Sequence, residues 1–230
     1  MHMKEIKTEQ TTLTLDRENG LTIQHLGELM LTKTGMTLTE ESGAPLELAN
    51  WSQDLQDDTH LHFTHKGEGF VLQRHLITKL PHMLLCIDII NSEKPLNYQA
   101  VFAINNSDGI LNPHTFEDGR AALRRDNAGM KVLPLPVLPQ EASLAFCEEE
   151  QPDSLVLTYT GDLQTQQCVM YAIPLATSEE LRFWHGKCLA PDTWKFDDPT
   201  HSAGFAITRN DNVLQIDDLE SGAALWKLEL

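Results

Sequence analysis

Cysteine, basic side chains and long apolar runs are all scarce in this chain. Its 230 residues hold four cysteines, Cys86, Cys147, Cys168 and Cys188, spaced about twenty or more residues apart and without a CxxC pair. That excludes a densely stapled secreted fold and fits free thiols in a reducing compartment. No 18-residue apolar stretch is present to span a bilayer, and the N-terminal MHMKEIKTEQTT lacks the apolar run of a signal peptide. A cytoplasmic protein is expected, although the leading Met-His-Met also fits a trimmed chain whose export signal has been removed. Lysine and arginine total 17 against 34 acidic residues, a formal charge of -17, which repels nucleic acid and anionic membrane surfaces and excludes both as expected partners. No Asp-x-Asp-x-Asp-Gly calcium loop is present, and "NSDG" and "DNAGMK" lack the phosphate-cradle pattern. No metal or cofactor is expected.

What the chain does have is alternation. Residues 11–15, 21–25 and 27–32 alternate apolar and polar side chains, with a turn at 18–20 whose Asn19 and Gly20 tolerate positive φ. The runs HLHFTH, GFVLQRHLI and HMLLCIDIIN follow from His60 onward, separated by turn-forming residues at 66–69 and 79–82. Further strands are expected at 98–104, 143–148, 154–160, 167–173, 204–208, 213–217 and 223–229. Helix is expected only at 177–184, where Thr177 or Ser178 caps a turn carrying Glu179 and Glu180. The Asn-, Asp- and Gly-rich stretch at 105–130 reads as irregular, and LPLPVLP, with Pro134, Pro136 and Pro139, reads as extended polyproline-like backbone. Short strands at short intervals fit a sandwich or barrel. The expectation is one all-β domain over 1–230, a large antiparallel β-sandwich with little helix.

Histidine is concentrated in THLHFTHKGEGFVLQRH, residues 59–75. On a strand His60 and His62 share a face, while His65 falls on the opposite one. The His-x-His pair resembles the first motif of cupins, but five residues separate His62 from Glu68 where that motif has three or four, and no second motif follows. Three readings stay open: a cupin-like metal enzyme using His60, His62 and one of His65, Glu68 or His75; a ligand-binding face without metal; or two water-facing histidines opposite Leu61 and Phe63 in the core.

The block at 73–105 carries a strand with Arg74, a strand ending at Asn91, and a polar turn with Pro95 leading to a strand near Tyr98. Arg74, Leu85, Ile87, Ile90, Asn91, Pro95, Leu96 and Tyr98 resemble the central meander of galactose mutarotase-like β-supersandwich proteins, over roughly 35 residues. The resemblance implies two large sheets packed face to face and a sugar site on a concave sheet face. Its catalytic histidine, in a His-Pro-Tyr-Phe or His-Thr-Tyr-Phe setting, is not matched, because Ala103-Ile104-Asn105-Asn106 stands there. The nearest analogue is NPHTFEDGR, where His114 precedes Phe116 and is followed by Asp118 and Arg120. His114 is the candidate catalytic acid, to be paired with a carboxylate as mutarotation requires, and it reads equally as part of an exposed turn.

Near the C-terminus, RFWHGKCLAPDTWKFDDP brings Trp184, His185, Trp194 and Phe196 beside acidic residues. Aromatic faces ringed by carboxylates hold sugar rings by stacking and hydroxyl hydrogen bonds; the same residues also serve as a hydrophobic clamp. Cys188 beside His185 lacks the further partners of a nucleophilic site. Together these residues favour a carbohydrate-binding or carbohydrate-processing protein, binding before catalysis, with a mono- or oligosaccharide as partner. The expected ligand-binding residues are His60, His62, Arg74, His75, Trp184, His185 and Trp194. A mutarotase with displaced catalytic residues is the remaining alternative.

Overall fold

A computed structural model describes residues 4–16, 20–46, 48, 52–56, 59–198 and 203–230. Along the chain the strands are β1 (Lys4–Lys7), β2 (Thr11–Asp16), β3 (Gly20–His25), β4 (Glu28–Glu40), β5 (Ser52–Gln56), β6 (His60–Gly67), β7 (Phe70–Lys79), β8 (Met83–Ser92), β9 (Leu96–Asn105) and β10 (Asn112–Thr115). They continue with β11 (Ala121–Arg125), β12 (Ala128–Pro134), β13 (Ala145–Gln151), β14 (Ser154–Leu163), β15 (Gln166–Thr177), β16 (His185–Ala190), β17 (Thr193–Asp198), β18 (Ala203–Asn210), β19 (Val213–Asp218) and β20 (Ala224–Glu229). Three antiparallel sheets result, in the orders β1-β2-β3-β4-β9-β14-β13, β10-β11-β12-β15-β8-β7-β6-β5 and β16-β17-β18-β19-β20. Among the described residues no helix is long and apolar enough to cross a membrane.

The expected pair of large sheets is present, and a third layer is added to it. β8 shows why. Its run MLLCIDII is buried at every position, so alternate side chains must serve two cores. Leu84, Cys86 and Ile90 join Leu31, Phe102 and Leu157 of the seven-stranded sheet. Met83, Leu85, Ile87 and Ile89 face Trp194, Phe205, Ile207 and Leu214 of the five-stranded sheet. β15 behaves in the same way, with Val169, Tyr171 and Ile173 on the first side and Cys168, Met170 and Ala172 on the second. The eight-stranded sheet is therefore the middle of three layers.

Two expectations are corrected by this arrangement. The stretch at 105–130 is not irregular throughout, since β10, β11 and the start of β12 lie in it; Asp126 at φ 48° makes the tight turn between β11 and β12. The aromatic stretch at 182–199 is not a loop, because β16 and β17 form a hairpin within it. The expected helix at 177–184 is reduced to a single 3₁₀ turn, Glu180–Phe183. Its N-cap position is Glu179, without a side-chain cap, and Thr177 Oγ1 instead accepts from the Glu180 amide at 3.2 Å and donates to Glu180 Oε2 at 2.8 Å. Of the turn expected at 18–20 only Gly20 is described, and the Asp57-Asp58 pair lies outside the described residues.

Between the two large sheets one charge pair is enclosed. Arg74 on β7 donates through Nε and Nη2 to Asp88 on β8 at 2.7 and 2.8 Å, and Asp88 is 1% exposed. The Tyr98 hydroxyl lies 3.4 Å from the same carboxylate and 3.3 Å from the Tyr171 hydroxyl. Burial opposes the charge on Arg74, and the adjacent Asp88 more than offsets it, holding the guanidinium pKa above its ordinary value. Arg74→Met should destabilise the protein by about 3–5 kcal/mol, because Asp88 is left buried without its counterion. Arg74→Met with Asp88→Leu should recover much of that loss in urea unfolding; a single variant as stable as the parent would contradict this role.

Candidate functional site

The eight candidate residues do not come together: three share one strand face, three line one hollow, and Arg74 and Trp194 lie in separate cores. His60, His62 and His75 lie on the face of β6 and β7 that looks toward the third sheet. His62 pairs across the strands with His75, and their rings stack at 4.2 Å and 10°. His60 Nε2 lies 2.9 Å from His75 Nδ1, and the His60 ring meets Trp226 edge-on at 5.7 Å. His60 and His75 are 4% and 5% exposed and His62 is partly buried, so the His60 and His75 rings are closed off from water. His65 points to the other core against Phe70, and Glu68 lies in the turn after β6, where it lines a separate acidic hollow with Glu40 and Glu93. Stacked rings do not aim their lone pairs at one point. Among the described residues no group of three or more His, Cys, Asp or Glu converges to hold a metal ion.

Arg74 lines a cavity of about 20 Å³ with Asp88, Tyr98 and Tyr171, a space far too small for a pyranose ring. Its guanidinium is committed to Asp88, so the expected ligand-binding role is replaced by a structural one. Trp194, 3% exposed, is likewise core. It sits on β17 with Phe196 and packs on the outer side chains of β8 and β15, which removes its indole from any ligand.

His114, Trp184 and His185 are drawn from separate parts of the sequence. They line one hollow of about 270 Å³ together with Phe116, Arg120, Arg124, Lys131 and Gly186. Strand register builds it: His114 pairs with Ala122, and Ala122 with Lys131, so His114 and Lys131 flank a small residue on one face. Arg124 lies two residues along from Ala122 and shares that face. β16 supplies the wall. A Cβ at Gly186 would stand 2.8 Å from Phe196 Cε1, so glycine makes room for the ring of its cross-strand partner on β17. Trp184 itself is 1% exposed and contributes its backbone carbonyl, which accepts from Lys131 Nζ. The exposed aromatic is Phe116, 40% exposed, with His114 edge-on at 4.5 Å and the Arg120 guanidinium 4.9 Å above its ring.

The electrostatics of the hollow are positive. Burial, then Arg124 and Arg120, push the Lys131 pKa down to about 8. Arg124 Nε donates to the Ser178 carbonyl at 3.1 Å, and Arg120 Nε to Asp118 at 2.7 Å. Arg124 and Lys131 escaped the sequence reading. Their signal was the spacing Arg120-x-Ala122-x-Arg124, visible only once β11 is known to be a strand.

No protein-family model matches the sequence, and no curated protein is significantly similar to it. Among solved structures, heparan sulfate lyase from Pedobacter heparinus superposes with a TM-score of 0.66 at 10% identity, over 99% of this chain and 41% of that one. A heparinase III structure gives 0.61 at 8% identity, over 96% and 40% respectively. A galactose mutarotase related enzyme from Lactobacillus acidophilus gives 0.50 at 6% identity, over 76% of this chain and 97% of that one. At these identities a shared fold is what the likeness shows, an all-β sandwich like that of the galactose mutarotase related enzyme. The chain spans about two fifths of the length of the lyases it matches.

The histidine cluster has a pH signature. Burial, then His62 and His60, hold the His75 pKa down to about 3. The unfolded chain binds that proton below about 6.5, whereas the folded protein excludes it. The contribution of neutral His75 is thus complete above about pH 6.5 and lost progressively as pH falls toward 3. His75→Phe should flatten the decline in Tm between pH 6.5 and 4, read by circular dichroism; a decline as steep as the parent's would contradict this assignment.

Proposed function

We propose that the chain is a carbohydrate-recognition module of the supersandwich fold, and that it holds a mono- or oligosaccharide in the hollow beside His114 without chemically changing it. The observation that carries this reading is the convergence on that hollow of His114, His185 and Phe116 with the donors of Arg120, Arg124 and Lys131. An exposed ring for stacking and several donors for hydroxyls are the chemistry of saccharide sites. The fold adds weight, since the lyases and the mutarotase related enzyme that share it are carbohydrate-processing proteins by name.

Binding is favoured over turnover by what surrounds His114. Mutarotation needs an acid and a base, yet no carboxylate is among the residues lining the hollow. Asp118, on the turn after β10, is engaged by Arg120. In this proposal the chain acts as one unit in the cytoplasm, a location supported by its four free thiols, two of them exposed.

A thermal-shift panel of mono- and oligosaccharides tests the reading. At ligand about 100 times Kd the stabilisation should approach about 2.7 kcal/mol. His114→Ala and Phe116→Ala should remove the shift while leaving the ligand-free Tm within a degree or two, because both side chains are exposed. A panel with no stabilising sugar would contradict the proposal, as would acceleration of anomer interconversion by the parent protein, which would make His114 catalytic.

A further inference from the structure

We infer that the hollow over β10–β12 selects a negatively charged substituent on the bound saccharide, a carboxylate or a sulfate or phosphate ester, through Arg120, Arg124 and Lys131. The saccharide part of this statement rests on the function proposed above; the anion part stands on the placement of charge.

That placement runs against the composition. In a chain of formal charge -17, most of the partly buried cations among the described residues take a carboxylate. Arg74 takes Asp88, Lys79 takes Asp218 and Glu220, Arg125 takes Glu28 and Asp108, and Arg209 takes Asp192 and Glu141. Arg124 and Lys131 depart from this pattern. Among the described residues neither has a carboxylate within ion-pair distance, and the protein acceptors found for them are neutral carbonyls, of Ser178 and Trp184. Arg120, which does have Asp118, is half exposed at the mouth. Three cations thus share one concave face, with Lys131 across from Ala122 between the two arginines.

Crowding like charges in a partly buried hollow raises the local potential; burial first, and then Arg124 and Arg120, lower the Lys131 pKa. An anion entering the hollow relieves that repulsion and gains charge-assisted hydrogen bonds. A planar guanidinium suits carboxylate and ester oxygens in two-point contact, and the ammonium adds a point charge. The rest of the surface repels such a ligand, which confines its binding to this face.

Dextran and dextran sulfate of equal length isolate the charge, because the sugar backbone is common to both. By isothermal titration the parent should bind dextran sulfate at least about tenfold more tightly than dextran. Arg124→Gln and Lys131→Gln should each weaken that binding by about tenfold, and added salt should weaken it further. Lys94→Gln, the same charge change on an exposed turn away from the hollow, should leave it unchanged. Arg120→Gln provides a variant at a half-exposed side chain in case the other two fail to fold. Equal binding of dextran and dextran sulfate would overturn the charge inference and leave the saccharide reading intact. Dextran sulfate bound as tightly by the three hollow variants as by the parent would overturn the site. Stabilisation by sodium sulfate alone, lost in the variants and accompanied by no polymer binding, would uphold the anion site and remove the saccharide reading. No response to sulfate, dextran sulfate or polygalacturonate would overturn the inference outright.

Discussion

The structure depends on the burial of one sheet from both sides. β8 and β15 lie at the centre of the middle layer, and neither has a face for water. Such strands cannot alternate between apolar and polar residues, and they read instead as unbroken apolar runs. The one charged group buried on them, Asp88, is paired with Arg74 and lies against the Tyr98 hydroxyl, since an unpaired charge there would cost several kcal/mol. The outer sheets are then free to expose their far sides, as β13 does with Glu148, Glu149 and Glu150.

The middle sheet has eight strands and the third sheet five, so the cover ends before the sheet does. β16 lies against Leu133 of β12, and beyond it the outward faces of β10 and β11 are left uncovered. That step between layers makes the hollow. At the other end the third sheet reaches β6 and β7, and Trp226 closes over His60. The same sheet face therefore carries buried, stacked histidines at one end and accessible cations at the other.

Eight- to twelve-residue strands, whether alternating or unbroken apolar runs, are the ones most legible in the sequence: β6 to β9, β14 and β15 lie within a few residues of their expected ends. The meander at 73–105 pointed correctly to the supersandwich. What failed had a common physical origin. β10 and β11 are four and five residues long, and the Asn, Asp and Gly of their turns outweigh their own pattern. In β16 and β17 the aromatics were visible but their side was not, because which face is buried is decided by a sheet distant in sequence. Arg74 and Trp194 were chosen as ligand residues for their chemistry, and burial gave them other work. His114 and His185, singled out separately in the sequence, meet at one hollow, while its principal cations, Arg124 and Lys131, lie in a stretch whose Asn, Asp and Gly content hides its strands.

The central claim is that one face of the middle sheet is covered at β6–β8 and open at β10–β12, and histidine reactivity toward diethyl pyrocarbonate, mapped by mass spectrometry, tests it most directly. His60, His65 and His75, at 4%, 3% and 5% exposure, should resist modification until the protein unfolds, whereas the exposed His114 and His185 should react at close to the rate of free histidine. His60 and His75 reacting as fast as His114 in the folded protein would contradict the three-layer account.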